Sequence, residues 1–256
     1  RVILRLQALG RSVDCIRAQL RAMSARGNPA VSAKDPAVFD RQYRAFLFDM
    51  DGTLLNSIAA AERVWAAWAQ RHGLDVEAFL TTIHGARAID TISRQALPGV
   101  DAQVEARGIT EAEIADVEGV VAIPGAVAFV QSLPAHCWAV ITSAPKALAL
   151  RRMHAAGLVP PAVMVTAEDV ANGKPDPACY LLGAQRLGIP MGECLVFEDA
   201  PVGIRAGEAA GADVVVVTAA HDEPMVTRHP KIASYDEVQV QCDAAGLLRL
   251  RPSTTA

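Results

Sequence analysis

The chain has 256 residues, of which 52% are hydrophobic and 20% charged, a composition typical of a globular protein with one large domain or a core and a smaller insert. A formal net charge of -4 excludes the basic surface of a nucleic-acid-binding protein, so we predict no nucleic-acid partner. No stretch contains the roughly 18 consecutive apolar residues of a membrane-spanning helix, so we predict no membrane partner.

The cysteines are five in number and scattered, without the close pairs that are typical of metal sites. Cys137 and Cys194 lie within apolar runs, where a buried free thiol is usual. This usage predicts a reducing, cytoplasmic location.

Residues 1–40 are predicted to form an N-terminal extension and linker outside the fold. The first 27 residues carry six arginines and a single acid, Asp14, and the segment 24–40 is rich in Ala, Pro, Gly and polar residues. An arginine-rich, acid-poor segment is also compatible with a targeting peptide or a docking helix.

The first predicted strand is the short apolar run 45–48, which ends abruptly in the letters DMDGT. From about 57 to 120 the sequence shows helical patterns and no convincing strand, so we predict a helical insert here. The predicted helices are 59–72, 86–97 and 111–120. Trp65 and Trp68, three residues apart in the first of them, are expected in a hydrophobic core rather than as a platform for a sugar.

Further apolar runs predict four more strands, each buried on both faces. They are 138–142, 163–166, 194–197 and 214–217. The intervening helices are predicted at 146–156, 178–187 and 202–210, each followed by a glycine suited to a helix C-terminus. Strands that alternate with helices predict an α/β fold with a doubly wound, open parallel sheet. The core is therefore assigned to 41–56 and 121–256, and the helical cap to 57–120.

Polar side chains follow four of the predicted strands and converge on one edge of the sheet, where ligands of open parallel sheets bind. They are Asp49 and Asp51 after the first strand, Ser143 after the second, Lys174 in the loop after the third, and Glu198 and Asp199 after the fourth. Crowded carboxylates repel one another, so a cation is implied. Oxygen ligands without His or Cys favour Mg²⁺ over zinc, and such a metal tolerates a phosphate beside the acids.

These residue types support transfer of a phosphoryl group. Gly52 can bend the chain so that the two neighbouring aspartates point differently around one phosphorus. One carboxylate can attack phosphorus, and a second can protonate the leaving oxygen and then deprotonate water. Lys174 can neutralise charge, while hydroxyl and backbone groups hold the phosphoryl oxygens. The predicted phosphate-binding residues are Gly52, Thr53, Thr142 and Ala144 together with Ser143, and of the two hydroxyls at 142 and 143 we favour Ser143.

The motifs DMDGTL, VITS, GKPDP and FEDAPVGIRAG occur in this order within residues 45–218 and resemble the four signatures of the haloacid dehalogenase superfamily. The helical insert is similar to the C1 cap of that superfamily. The resemblance implies Asp49 as nucleophile and Asp51 as acid/base. It also implies Mg²⁺ held by Asp49, the Asp51 carbonyl and Asp199, with Glu198 nearby or in a water-mediated shell.

A finer resemblance links residues 83–90 and the runs IPGAV, LPAHCWAVITS and TAEDVANGKPDP to glycerol-phosphate, 2-deoxyglucose-phosphate and bacterial sugar phosphatases. That group often has Gly-Thr after the serine of its second motif, where this chain has Ala144-Pro145. Because Pro145 donates no backbone N–H, one phosphate contact is lost or supplied elsewhere.

Four residues of the insert are predicted to bind the rest of the substrate. They are His84, Gly85, Arg87 and Asp90. Gly85 permits close approach, and a cap must present polar groups to sugar hydroxyls. His84 and Arg87 can equally be surface residues at the start of a helix.

The sequence favours hydrolysis of a small sugar phosphate or polyol phosphate by a monomer or homodimer. A phosphosugar mutase is the nearest alternative, because it uses the same pair of aspartates and a similar cap. A non-catalytic module that binds a phosphorylated ligand would be expected to lose a carboxylate or the lysine, and this chain keeps them all. A dehalogenase needs no second acid, whereas Asp51 is present.

Overall fold

The computed structural model describes residues 36–221 and 225–253. Its helices are α1 (Pro36–Asp40), α2 (Ile58–Arg71), α3 (Val76–Leu80), α4 (Ala88–Arg94), α5 (Ala102–Ala115), α6 (Ala126–Gln131), α7 (Lys146–Ala155), α8 (Ala178–Leu187) and α9 (Pro201–Ala210). Its strands are β1 (Ala45–Phe48), β2 (Leu55–Asn56), β3 (Val121–Ala122), β4 (Trp138–Ile141), β5 (Val163–Val165), β6 (Cys194–Glu198), β7 (Asp213–Val217), β8 (Lys231–Ile232), β9 (Val238–Cys242) and β10 (Leu248–Pro252). Short 3₁₀ turns lie at Ala167–Asp169, Met191–Glu193 and Tyr235–Glu237. No helix in the described ranges has the length and apolar character needed to cross a membrane.

Six parallel strands form the central sheet in the order β5-β4-β1-β6-β7-β8, with helices on both faces. This confirms the predicted doubly wound α/β fold. The five predicted strands all lie in the sheet, within one residue of their predicted ends. The sixth strand, β8, and the antiparallel hairpin β9–β10 were not predicted, because these short segments mix polar or charged residues with apolar ones.

The side chains of β1 alternate between the two faces of the sheet, so each face receives its own hydrophobic cluster. Phe46 and Phe48 enter one cluster, where the ring of Phe48 stacks on Phe197 with centroids 4.7 Å apart. Ala45 and Leu47 enter the other. Burial on both faces explains why the parallel strands are continuous apolar runs in the sequence.

Helix α1 corrects one boundary of the predicted organisation. Residues 36–40 are predicted from the sequence to belong to a linker outside the fold, but α1 packs on the core and Val38 is only 5% exposed, in the same cluster as Phe46. The remainder of the predicted extension, with its targeting and docking alternatives, lies outside the described residues.

The helical insert lies between β2 and β3, which pair antiparallel and bring its two ends together. Helix α2 is within one residue of its prediction, and α4 is shorter than predicted. The predicted limits of the helix at 111–120 are wrong, because the helix in this region is α5, Ala102–Ala115. Helix α5 begins earlier because the side chain of Asp101 accepts hydrogen bonds from Gln103 N (2.9 Å) and Val104 N (3.2 Å), which makes it an N-cap. Helix α3 was not predicted from the sequence.

The insert has a hydrophobic cluster of its own. Trp65 and Trp68 pack with Phe79 at centroid distances of 5.7 and 5.3 Å. The indole N–H of Trp68 donates to Glu105 (2.8 Å), which satisfies its one polar group. Both tryptophans therefore have the core role that the sequence predicted.

The described cysteines are free thiols. Cys137, Cys179 and Cys194 are buried and Cys242 is exposed. Burial raises the pKa of Cys194 to about 12, so this thiol is protonated at neutral pH.

Candidate functional site

The carboxyl ends of β1, β4 and β6 meet at one edge of the sheet beneath the helical insert. A cavity of about 80 Å³ lies between them. Asp49 and Asp51 line it after β1, Thr142 and Ser143 after β4, and Asp199 after β6. Four of the catalytic and metal residues predicted from the sequence therefore reach one cavity, together with the second hydroxyl at position 142.

Lys174 forms a buried ion pair with the carboxylate of Asp49. Its ammonium donates to Asp49 Oδ1 (2.5 Å), Glu198 Oε1 (2.7 Å) and the carbonyl of Ile141 (3.2 Å), and its side chain is 1% exposed. Burial disfavours the charged ammonium, but the two carboxylates outweigh it and raise the pKa of Lys174. Burial likewise raises the pKa of Asp49, and the charge of Lys174 opposes that shift. The ammonium thus opposes the protonation of Asp49 that burial favours.

Glu198 organises this centre through four hydrogen bonds. Oε1 accepts from Lys174 and from the hydroxyl of Tyr180 (2.8 Å), and Oε2 accepts from the backbone N–H groups of Asp199 (2.9 Å) and Ala200 (3.1 Å). A Cβ at position 203 would overlap the Glu198 carboxylate, so Gly203 is required for the close approach of α9.

Asp199 is held by residues from two other segments. Its Oδ2 lies 2.7 Å from His221 Nε2, and its Oδ1 accepts from the hydroxyl of Thr53 (3.4 Å). Burial raises the pKa of Asp199 to about 6, while the hydrogen bond to His221 opposes the shift. Gly52 has φ +87°, and a Cβ there would collide with the Asp199 carboxylate.

Gly52 and Thr53, which were predicted to bind phosphate, contact other groups of the protein in the structure. Neither residue lines the cavity. The N–H of Gly52 donates to the carbonyl of Leu55 (2.7 Å), and the Thr53 side chain is fully buried against Asp199. In the structure they position Asp199.

Three carboxylates are close enough to share a cation. Oxygens of Asp49, Glu198 and Asp199 all lie within 4.8 Å of one another, and all three side chains are buried. This oxygen-only set fits Mg²⁺. Glu198 fits least well as a direct ligand, because both of its oxygens already accept two hydrogen bonds.

Asp51 points to a different part of the cavity from Asp49. Its Oδ1 accepts from Ser57 Oγ (2.6 Å) and from one guanidinium nitrogen of Arg152 (2.9 Å). A second nitrogen of Arg152 donates to Glu113 Oε1 of the insert (3.1 Å). A chain of buried polar groups therefore runs from the core to the insert beside Asp51.

The hydroxyls after β4 have different partners. Thr142 Oγ1 accepts from the N–H of Ala144 (3.0 Å), whereas Ser143 Oγ donates to the carbonyl of Gly85 in the insert (2.9 Å). Thr142, Ser143 and Ala144 all line the cavity. Gly85 has φ +74°, and a Cβ there would press on Ala200 and Val202, so the predicted close approach at Gly85 is present.

The four predicted cap residues separate into two groups. His84 and Gly85 line the cavity, and burial lowers the pKa of His84, with Glu62 3.8 Å away opposing the shift. Arg87 and Asp90 do not line it. The Arg87 guanidinium donates to both carboxylate oxygens of Asp90 (2.7 and 2.9 Å) and to the carbonyls of Val170 (3.1 Å) and Ala171 (3.0 Å). The N–H groups of Arg87 therefore form hydrogen bonds within the insert and from the insert to the loop that leads to Lys174.

Residues 43–211 match the sequence model of the haloacid dehalogenase-like hydrolases. The chain belongs to this family.

Curated relatives of this hydrolase act on phosphorylated small molecules, as their names state. Hexitol phosphatase A of Escherichia coli is 45% identical over 186 residues, which cover 71% of this chain and 86% of the relative. Glycerol-1-phosphate phosphohydrolase 2 of Saccharomyces cerevisiae is 33% identical over 189 residues, which cover 70% and 76%. The resemblance to polyol- and sugar-phosphate phosphatases is therefore confirmed.

A solved hydrolase from Pseudomonas syringae has the same fold. It superposes with a TM-score of 0.63 at 26% identity and covers 71% of this chain and 87% of its own. The solved structure of a similar protein and the sequence match to the family therefore both support the hydrolase fold.

Several residues of the hydrolase site were not predicted from the sequence. Arg152 and Glu113 occupy the buried stripes of α7 and α5, where Leu148 and Ile109 lie one turn away. A charged residue within the apolar stripe of a helix is unusual, and this feature of the sequence could have identified both residues. Tyr180 lies among the buried residues of α8 and has the pattern of an ordinary core residue. His221 lies in a connection after β7, where no pattern marks it.

Proposed function

We propose that this hydrolase is a Mg²⁺-dependent phosphatase that cleaves a small sugar phosphate or polyol phosphate through a phosphoryl group carried on Asp49. The observation that supports this best is the arrangement of two aspartates around one cavity. Lys174 forms an ion pair with Asp49 that favours its ionised form, and Asp51, two residues later, is held apart from it by Ser57 and Arg152.

In the first step, a carboxylate oxygen of Asp49 bonds to phosphorus, and the bond from phosphorus to the ester oxygen breaks. Asp51 gives its proton to that oxygen, so the substrate leaves as an alcohol. The Lys174 ammonium favours the ionised form of Asp49, and Thr142, Ser143 and Ala144, which line the cavity, would bind the phosphoryl oxygens.

In the second step, water replaces the alcohol. Asp51 takes a proton from the water, the water oxygen bonds to phosphorus, and the bond from phosphorus to Asp49 breaks. The products are inorganic phosphate and free Asp49, and Asp51 is protonated again. Proton transfer by a positioned carboxyl group typically contributes about 10²–10⁴-fold to the rate.

Asp49 and Asp199 are the residues best placed to hold Mg²⁺, with the Asp51 carbonyl as a third ligand and Glu198 in support. Bound there, the ion would polarise a phosphoryl oxygen and offset the negative charge shared by phosphate and carboxylates.

The relatives support a hydroxylated substrate and hydrolysis rather than mutase chemistry, since those at 45% and 33% identity are named phosphatases of hexitol and glycerol phosphates. We further propose that residues 57–120 act as the cap that covers the substrate, with 41–56 and 121–256 as the catalytic core.

Release of inorganic phosphate from sorbitol 6-phosphate, glycerol 1-phosphate, 2-deoxyglucose 6-phosphate and para-nitrophenyl phosphate tests the proposal. We expect turnover with Mg²⁺ on at least one hydroxylated substrate, and none with excess EDTA. Full activity in EDTA, or hydrolysis of none of the four, would contradict it. Conversion of a sugar phosphate into its isomer without phosphate release would indicate a mutase.

A further inference from the structure

Glu113 is the buried carboxylate that the insert presents to the cavity. Among the described residues of the insert, only His84 and Glu113 are ionisable side chains in the cavity wall. His84 is 29% exposed and lies near Glu62, whereas the Glu113 side chain is 8% exposed. Burial raises the pKa of Glu113, and the charge of Arg152 opposes that shift.

Arg152 fixes where Glu113 lies relative to the reacting atoms. One of its nitrogens donates to Asp51 Oδ1 (2.9 Å) and another to Glu113 Oε1 (3.1 Å), and its side chain is 6% exposed. Asp51 must approach the ester oxygen of the substrate. The Glu113 carboxylate therefore lies one guanidinium group away from Asp51, on the side of the insert.

A buried group of charges such as this one is weak evidence for a role in stability. Replacing a buried ion pair or triad with apolar residues of similar volume is often neutral or stabilising, because desolvation of the charges is costly. The rest of the insert wall is largely apolar, with Ile58, Ala61 and Ile83. In an apolar cavity, a few placed polar groups fix the orientation of the ligand.

We propose that Glu113 and Arg152 bind the hydroxyl on the carbon next to the phosphorylated carbon of the substrate. The hydroxyl donates to Glu113 and accepts from Arg152, while the carbon chain contacts the apolar wall. This inference rests on the proposed function, because it takes Asp51 as the group at the ester oxygen. It specifies the substrate class as monophosphates of 1,2-diols, the class to which glycerol 1-phosphate belongs.

The test compares two substrates that differ by one hydroxyl, propane-1,2-diol 1-phosphate and 1-propyl phosphate. We expect the parent protein to favour the diol in kcat/KM by roughly 5- to 150-fold, the factor expected when buried polar groups lose a partner. Glu113→Ala should remove this preference, mainly by lowering kcat/KM for the diol. Glu113→Gln keeps an oxygen for Arg152 and should reduce the preference only in part. Glu111→Gln, exposed on the same helix, is the matched control and should keep it.

The outcomes separate this inference from the proposed function. Parallel loss on both substrates in folded Glu113 variants, or no loss on either, overturns the hydroxyl-binding role and leaves the phosphatase intact. If Glu113→Ala does not fold, the Gln variant alone decides. Mg²⁺-dependent turnover of both substrates at equal rates by the parent protein also overturns it. Failure of the parent protein to release phosphate from any ester overturns the proposed function, and this inference with it.

Discussion

Lys174 lies between the carboxylates of Asp49 and Glu198 with almost no contact with solvent. The three groups depend on one another. Without the ammonium, two carboxylates face each other in a buried site, and burial then favours the neutral form of Asp49, which is not a nucleophile. The charge of Lys174 is therefore expected to affect both catalysis and the stability of the fold.

We therefore predict that Lys174→Met lowers kcat by about 10²–10³-fold. It should also lower the free energy of unfolding by about 3–5 kcal/mol, because removing one partner leaves buried charge uncompensated. Steady-state kinetics and urea denaturation measure the two effects. Lys231→Met, at an exposed lysine, is the control and should change neither. Unchanged turnover in the Lys174 variant would be incompatible with the role assigned to the ammonium.

At the scale of elements, helix α4 is joined to the core by Arg87, which is oriented by Asp90 and donates to the carbonyls of Val170 and Ala171. These carbonyls precede Lys174 in the same loop. A Cβ at Gly173 would collide with Arg87 and Asp90, so the insert and this loop fit closely together. Arg87 thus docks the insert onto the loop that carries the catalytic lysine.

Docking predicts that Arg87→Ala lowers kcat/KM by about 10-fold for every substrate, since two hydrogen bonds worth about 0.5–1.5 kcal/mol each are lost. The ratio of kcat/KM for a polyol phosphate to that for para-nitrophenyl phosphate should stay constant. The sequence alone favoured the opposite result, a selective loss on the hydroxylated substrate. Selective loss would show that Arg87 contacts the substrate after all.

The accuracy of prediction from the sequence differs between the elements of the fold. The strands of the sheet are predicted to within one residue because burial on both faces leaves uninterrupted apolar runs. Asp49, Lys174 and Asp199 are predicted because each follows a strand end in a distinctive motif. Contacts between distant segments escape prediction. Arg152 meets Asp51 across 101 residues, and the donors of Arg87 are taken by a loop 83 residues away. Only the folded chain reveals such pairs.

At the scale of the whole molecule, the three carboxylates that can hold Mg²⁺ come from two strands that are distant in sequence and adjacent in the sheet. A ligand that binds only the folded state stabilises it by mass action. Mg²⁺ at about 100 times its dissociation constant should therefore add about 2.7 kcal/mol to the free energy of unfolding.

This stabilisation should appear as a rise of several degrees in Tm, and Asp199→Asn should abolish most of it. Thermal unfolding with and without Mg²⁺, followed by circular dichroism, measures the effect. An equal rise in Tm for the parent and Asn variants would place the bound ion elsewhere.

In the proposed mechanism the phosphoryl group is transferred to Asp49 before it reaches water. Acid quenching during turnover, followed by borohydride reduction and peptide mass spectrometry, tests it most directly, because reduction converts an aspartyl phosphate into homoserine. We predict homoserine at position 49 in the parent protein, and neither homoserine nor phosphate release in folded Asp49→Asn. Turnover without any modification of Asp49, or normal phosphate release by the Asn variant, would contradict the account.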